Sequence, residues 1–226
     1  MFEEITNSIK FRRSSSFDSN IIWIGGNERQ ALVDTGTGMY HEGLVKDLEK
    51  IGSSQQDITD IILTHSHIDH IGGVVPFLSE NSPQIHLHRS EGNRINSGNM
   101  ELTLSDTFGV TLPQFKVDGL FDDKDIIDLG NISLKVHHTP GHSSGCVCLE
   151  VLGESIMITG DTMFAGGSFG RVDFPTGDPK KLVKSLKKLS EMKFEVALPG
   201  HMQAVTHNAN NAAEQSYRMA KRTFGF

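Results

Sequence analysis

Three imidazoles and a carboxylate fall within six positions of this chain, at His65, His67, Asp69 and His70, directly after the apolar run Ile61-Ile62-Leu63-Thr64. Polar side chains gathered at the end of a buried strand each carry a desolvation cost, and one shared divalent cation offsets several at once. His65 and His67 are two apart, so in extended chain they point the same way, while Asp69 and His70 follow where the chain should turn into a helix. One pair is thus able to hold one metal ion and the other pair a second. The competing explanation is a solvated histidine-rich turn.

Three further candidates stand after later apolar runs. His142 follows Thr139-Pro140-Gly141, Asp161 follows Gly160 at the end of Ser155 to Thr159, and His201 repeats the Pro-Gly-His layout as Pro199-Gly200-His201. Proline and glycine stiffen such turns, so each histidine projects from a rigid rim. His65, His67, Asp69, His70, His142, Asp161 and His201 exceed one tetrahedral centre but suit two ions if a carboxylate bridges them, and Asp161 is the natural bridge. Asp34, in Val33-Asp34-Thr35-Gly36, is either a turn carboxylate or a support for the ligands. His86 and His88 share a face of a short strand with no acidic or cysteine neighbour and are read as edge-strand histidines; His137 and His138 are assigned no ligand role. Cys146 and Cys148 read as two buried thiols, because a disulfide between residues so placed would be strained.

The elements that must position these residues alternate in type. Glu3 to Phe11 alternates loosely, and Asn20 to Ile24 and Gln30 to Val33 flank Gly25-Gly26-Asn27 as a hairpin. Leu44, Val45, Leu48 and Ile51 predict a helix over 40–51 with Gly52 at its end. Ile71 to Leu78 predicts helical turns limited by Pro76. Gln84 to His88 predicts a strand, and 89–104 a weak helix with Glu91, Arg94 and Glu101 on a polar surface. Residues 106–125, with glycines, a proline and interspersed phenylalanines, predict a long ordered loop bordering a site. Strands are expected over 126–129, 132–138, 146–152, 155–159 and 194–198. Asp178-Pro179 opens an amphipathic helix to Leu189, and 208–221 forms the closing helix.

Composition narrows the classes of function. A chain of 226 residues, 37% hydrophobic, predicts one substantial domain over 1–226. Its net charge of −7 argues against a nucleic-acid or anionic-membrane surface. The run Lys180, Lys181, Lys184, Lys187, Lys188 is most simply a solvated helix face. With no signal-like N-terminus and no apolar run near about twenty residues, a soluble cytoplasmic protein is expected.

The chain resembles the metallo-β-lactamase superfamily: His65-Ser66-His67-Ile68-Asp69-His70, His142 after Pro-Gly, Asp161 after Gly and His201 after Pro-Gly match its metal motifs in order. The resemblance implies an α/β fold, a four-layer αββα sandwich of two mixed β-sheets flanked by helices. Carried over by position, it implies one ion on His65, His67 and His142, another on Asp69, His70 and His201, and Asp161 shared. Two zinc ions per chain are the expected cofactors, with iron or manganese as substitutes. The implied chemistry is hydrolysis of a thioester, ester or lactone by a metal-bridged hydroxide, with Asp69 orienting the nucleophile and shuttling its proton.

Within that superfamily, the run from Gly160 to Phe174 looks most like the glyoxalase II and persulfide dioxygenase branch. Arg171 falls where that branch often places a basic residue for the glutathione carboxylate, which implies a substrate-binding role. The chain departs from typical glyoxalase II at Asp173 and Gln203, where tyrosines are usual, and only about twenty-five residues follow His201 where a helical domain is usual. The alternative implied by the same run is a persulfide dioxygenase-like enzyme with a single iron on His65, His142 and Asp161. The expected partner is a small-molecule substrate, a thioester among the candidates, without nucleic acid or membrane; a homo-oligomer is compatible with this reading.

Overall fold

The computed structural model describes residues 1–14 and 17–226, and these divide into two compact units. The first comprises residues 1–121 with 129–131, the second residues 122–128 with 132–226.

A mixed sheet forms the first unit. Strands β1 (Phe2–Thr6), β2 (Ile9–Arg12), β3 (Ile21–Gly25) and β4 (Gln30–Val33) pair antiparallel in sequence order. Beyond them β5 (Ile58–Ile62), β6 (Gln84–His88) and β7 (Gly119–Phe121) are added in parallel. Parallel neighbours need crossovers, which helices supply: α1 (His41–Lys50) before β5, then α2 (Ile68–Ile71) and α3 (Val74–Glu80), and α4 (Arg89–Asn96) after β6. Leu44 and Leu48 of α1 and Phe77 of α3 are buried in one cluster with Leu32, Ile61 and Ile85 of the sheet. Each such side chain contributes about 1.5–3 kcal/mol on burial. The loosely alternating stretch from Glu3 to Phe11 lies in the β1–β2 hairpin. Pro76 lies in the first turn of α3, where a missing N–H costs nothing, so it starts that helix instead of disturbing it.

Two expectations are corrected here. Helix α4 stops at Asn96, because Gly98 takes a left-handed φ of 82° and Asn99 N–H turns back to the Arg94 carbonyl. The segment read as a loop over 106–125 contains β7, whose three residues pair with His86, Leu87 and His88 of β6. So short a strand has no periodicity of its own; the exposed backbone of β6 recruits it. His86 and His88 are consequently on an interior strand, not an edge one.

The second unit carries its own mixed sheet, in the order β12 (Val196–Pro199), β11 (Ile156–Gly160), β10 (Val147–Val151), β9 (Ser133–His138), β8 (Ile126–Asp128). Only the β11–β12 pair is parallel among the described strands of this sheet. Helices α5 (Pro179–Ser190) and α6 (Ala209–Phe224) bury Leu182, Leu186, Leu189 and Ala213 against Met157 and Ala197. Asp178 caps α5 by accepting the Lys180 and Lys181 N–H groups at 2.9 and 3.0 Å, a contact worth about 1 kcal/mol. The lysines of α5 lie on its outer side, as the spacing predicts. Cys146 and Cys148 are buried thiols. Among the described residues no helix is long and apolar enough to cross a membrane.

Candidate metal-binding residues

Strand β5 delivers the first ligand set. Leu63 N–H donates to the His86 carbonyl at 2.9 Å, continuing the extended chain past β5, and Thr64, His65, His67 and His70 are all buried. His65 Nε2 lies 3.1 Å from His67 Nδ1, with the rings edge to face. Asp69 and His70 then fall in α2, with Asp69 Oδ2 3.6 Å from His70 Nε2.

Asp34 organises this set from thirty residues upstream. It is fully buried and holds a left-handed φ of 60°, a conformation costing a non-glycine residue about 1 kcal/mol or more. Its Oδ1 accepts the Thr64 N–H at 2.8 Å, and its Oδ2 accepts both the Thr64 hydroxyl and His70 Nδ1–H at 2.8 Å. With its own hydrogen directed at Asp34, the Thr64 hydroxyl accepts a hydrogen bond from His65 Nδ1–H at 3.2 Å. With both Nδ1 atoms so engaged, His65 and His70 present Nε2 lone pairs, the form in which imidazole binds a metal. Of the two readings open for Asp34, the structure supports the one in which it steadies the candidate ligands.

The second unit brings its three candidates together around one oxygen. Asp161 Oδ2 is 3.5 Å from His142 Nε2 and 3.5 Å from His201 Nε2. His142 Nδ1–H donates to the Arg171 carbonyl at 2.6 Å, which puts the ring's lone pair on Nε2. The turns behind these residues are tied by the hydroxyls of Thr139 and Thr162, 2.8 Å apart. Gly170 must be glycine: a Cβ there would come within 2.2 Å of the Asp161 carbonyl and 2.9 Å of the His142 ring. Gly141 is constrained in the same way, with a φ of 144° and the Leu182 backbone 2.3 Å from where a Cβ would sit.

Arg171 is on the surface, 67% exposed at its side chain, and makes a two-pronged ion pair with Asp173 over the ring of Phe174. That pairing raises the guanidinium pKa further and lowers that of the Asp173 carboxyl. The histidines assigned no ligand role have other partners. His86 Nε2 bonds buried Asp60 at 2.7 Å, His137 bonds Glu150 at 2.7 Å, and His138 Nε2–H donates to the Ser144 carbonyl at 2.9 Å. Burial alone would raise the Asp60 carboxyl pKa, but hydrogen bonds from His86, Thr59 and Arg29 carry it below the usual range. His88 Nδ1 caps α4 through Ser90 N–H. A cavity of about 590 Å³ in the first unit, lined by Arg12, Arg13, Asp18 and Tyr40, holds none of the ligands.

Sequence reasoning misplaced one residue of consequence. Glu91, read as polar surface, is 1% exposed, and its Oε2 accepts the Ser66 N–H at 2.9 Å. Its helical spacing of four from buried Ile95 is the signal that marks it as facing inward.

The side-chain types in both sets are those that bind divalent cations. Neutral imidazoles with their distal nitrogens hydrogen-bonded, together with carboxylates, are the ordinary ligands of zinc and related ions. Residues 16–201 match the model of the metallo-β-lactamase superfamily. An acyl-coenzyme A thioesterase of Homo sapiens is 28% identical over 229 residues, covering 89% of this chain and 77% of the relative. A probable metallo-hydrolase of Methanocaldococcus jannaschii is 34% identical over 193 residues, covering 82% of this chain and 88% of the relative. Among solved structures, a subclass B3 metallo-β-lactamase of Bradyrhizobium japonicum superposes with a TM-score of 0.80 at 18% identity, covering 99% of this chain and 92% of its own. The two mixed sheets with their helices have that fold.

Proposed function

Since the chain belongs to the metallo-β-lactamase superfamily, a family of metal-dependent hydrolases, we propose that it is a binuclear hydrolase of thioesters or related esters. His65, His67 and His142 would hold one ion, Asp69, His70 and His201 the other, and Asp161 both. The observation that carries this reading is the position of Asp161 Oδ2, 3.5 Å from the Nε2 atoms of His142 and His201, one histidine from each proposed triad. A thioester substrate is favoured over other acyl compounds by the similarity to the human acyl-coenzyme A thioesterase.

When bound, two divalent ions, with zinc as the first choice, lower the pKa of water towards neutrality and polarise a carbonyl. The chain's own residues do the rest. Asp34 keeps His70 and His65 in the metal-binding tautomer. The Asp69 carboxylate orients the attacking water and takes its proton; the water oxygen bonds the acyl carbon, the carbon–sulfur bond breaks, and Asp69 returns that proton to the departing sulfur. No serine nucleophile is required. Arg171 pairs with a carboxylate of the substrate, exchanging Asp173 for it, while its main-chain carbonyl continues to orient His142.

Elemental analysis of protein purified without added metal or chelator tests the centre, and a panel of thioesters, esters and lactones tests the reaction. Two ions per chain and turnover of a thioester are expected. One iron per chain, with oxygen uptake on a persulfide and no hydrolysis, would replace this reading by the dioxygenase. Arg171→Ala should raise KM for a carboxylate-bearing substrate more than it lowers kcat. An unchanged KM would remove Arg171 from substrate binding.

A further inference from the structure

We infer that Glu91 is a positioning residue for the ligands of the first unit: by accepting the Ser66 amide proton it holds His65-Ser66-His67 in the conformation that aims both imidazoles the same way. The inference rests on the metal-centre reading above. Ser66 lies between two of the proposed ligands, so any rotation of its backbone redirects both. The buried Ser66 hydroxyl has no hydrogen-bond partner among the described residues. Ser66 is therefore tethered through its amide, which Glu91 Oε2 meets at 2.9 Å.

The sheet brings this contact about. β6 runs parallel to β5, with His86 opposite Ile62, and α4 starts directly after β6. Glu91, three residues past the end of β6, thus arrives beside the chain leaving β5. Gly92 and Ile95 of α4 are buried and hold the helix in place, and the His88 cap fixes its first turn. A carboxylate 1% exposed is an expensive choice if packing were its only role, since an apolar side chain would fill the space without desolvation. Its removal would leave the Ser66 amide buried and unsatisfied.

The test uses the full chain, stripped of metal and titrated with zinc in competition with a chromophoric chelator. Glu91→Ala is expected to weaken zinc binding about ten- to a hundredfold. Glu91→Gln keeps an acceptor oxygen and should stay within about threefold of the wild type, a rescue that loss of packing alone does not predict. Amide exchange of Ser66 in the metal-free protein gives a second readout, slow in the wild type and the Gln variant and faster in the Ala variant. Unchanged zinc affinity in Glu91→Ala would overturn the inference. So would a wild-type Ser66 amide exchanging at the rate of an open loop, a measurement that holds even if the Ala variant fails to fold. A chain that binds no zinc would end the metal-centre reading, and the exchange comparison would then decide the Glu91 anchor by itself.

Discussion

The first unit draws four candidate ligands from six consecutive positions, whereas the second draws three from positions 142, 161 and 201, and the two sets are steadied by different means. In the first, distant side chains do the holding: the Asp34 carboxylate reaches Thr64 and His70, and Glu91 reaches the Ser66 amide. In the second, the backbone does it: the Arg171 carbonyl orients His142, and the glycine backbone at 170 packs on both His142 and Asp161. A contiguous motif leaves a strand with several flexible side chains and needs anchors from elsewhere. Ligands spread singly over strand ends are aimed by the sheet and its turns.

The largest expected effect is at the oxygen that both histidines of the second set approach. Asp161→Ala should reduce metal content from two ions to no more than one and slow thioester hydrolysis by several kcal/mol of barrier, on the order of a thousandfold. Two ions retained by elemental analysis would mean that Asp161 bridges nothing. Next comes the side-chain anchor of the first unit. Asp34→Asn cannot accept at both former oxygens, so Thr64 or His70 loses its partner; metal affinity should fall about ten- to a hundredfold and stability by about 1–3 kcal/mol. Equal zinc affinity in variant and wild type would break the contrast between side-chain and backbone anchoring.

For the backbone anchor the matching substitution is Gly170→Ala. With its Cβ 2.2 Å from the Asp161 carbonyl, it should cost about 1–3 kcal/mol in urea unfolding and weaken zinc binding with it. An unfolding midpoint identical to the wild type would show that the turn yields freely. A further contrast separates the units by pH, because both cysteines belong to the second. Burial pushes the Cys148 thiol from 9.0 up to about 11, so folding favours its neutral form. The stability it contributes is complete below pH 9 and is lost as pH rises to about 11, amounting to about 3 kcal/mol. Cys148→Ala should flatten that alkaline loss in chemical denaturation, and an unchanged slope would place its origin in another group.

Much of this was open to reading in the linear chain because its signals are local. The run into His65, the Pro-Gly turns before His142 and His201, and the Asp178-Pro179 helix start each need only a few neighbours to be understood. Other features have no local signal. Three-residue β7 exists because β6 offers a backbone to pair with, and the break of α4 at Asn96 hides inside a pattern that stays weakly helical to 104.

By itself the sequence determined the family, the kinds of element and the order of the candidate ligands, since residue type and spacing carry those directly. The tertiary structure alone decided which nitrogen of His65, His70 and His142 is hydrogen-bonded, that Asp34 bonds the side chains of Thr64 and His70 and does not only shape a turn, and that Glu91 is inside. Hydrogen-bond partners tens of residues apart are chosen by how strands pair and helices pack, and no spacing along the chain encodes that choice.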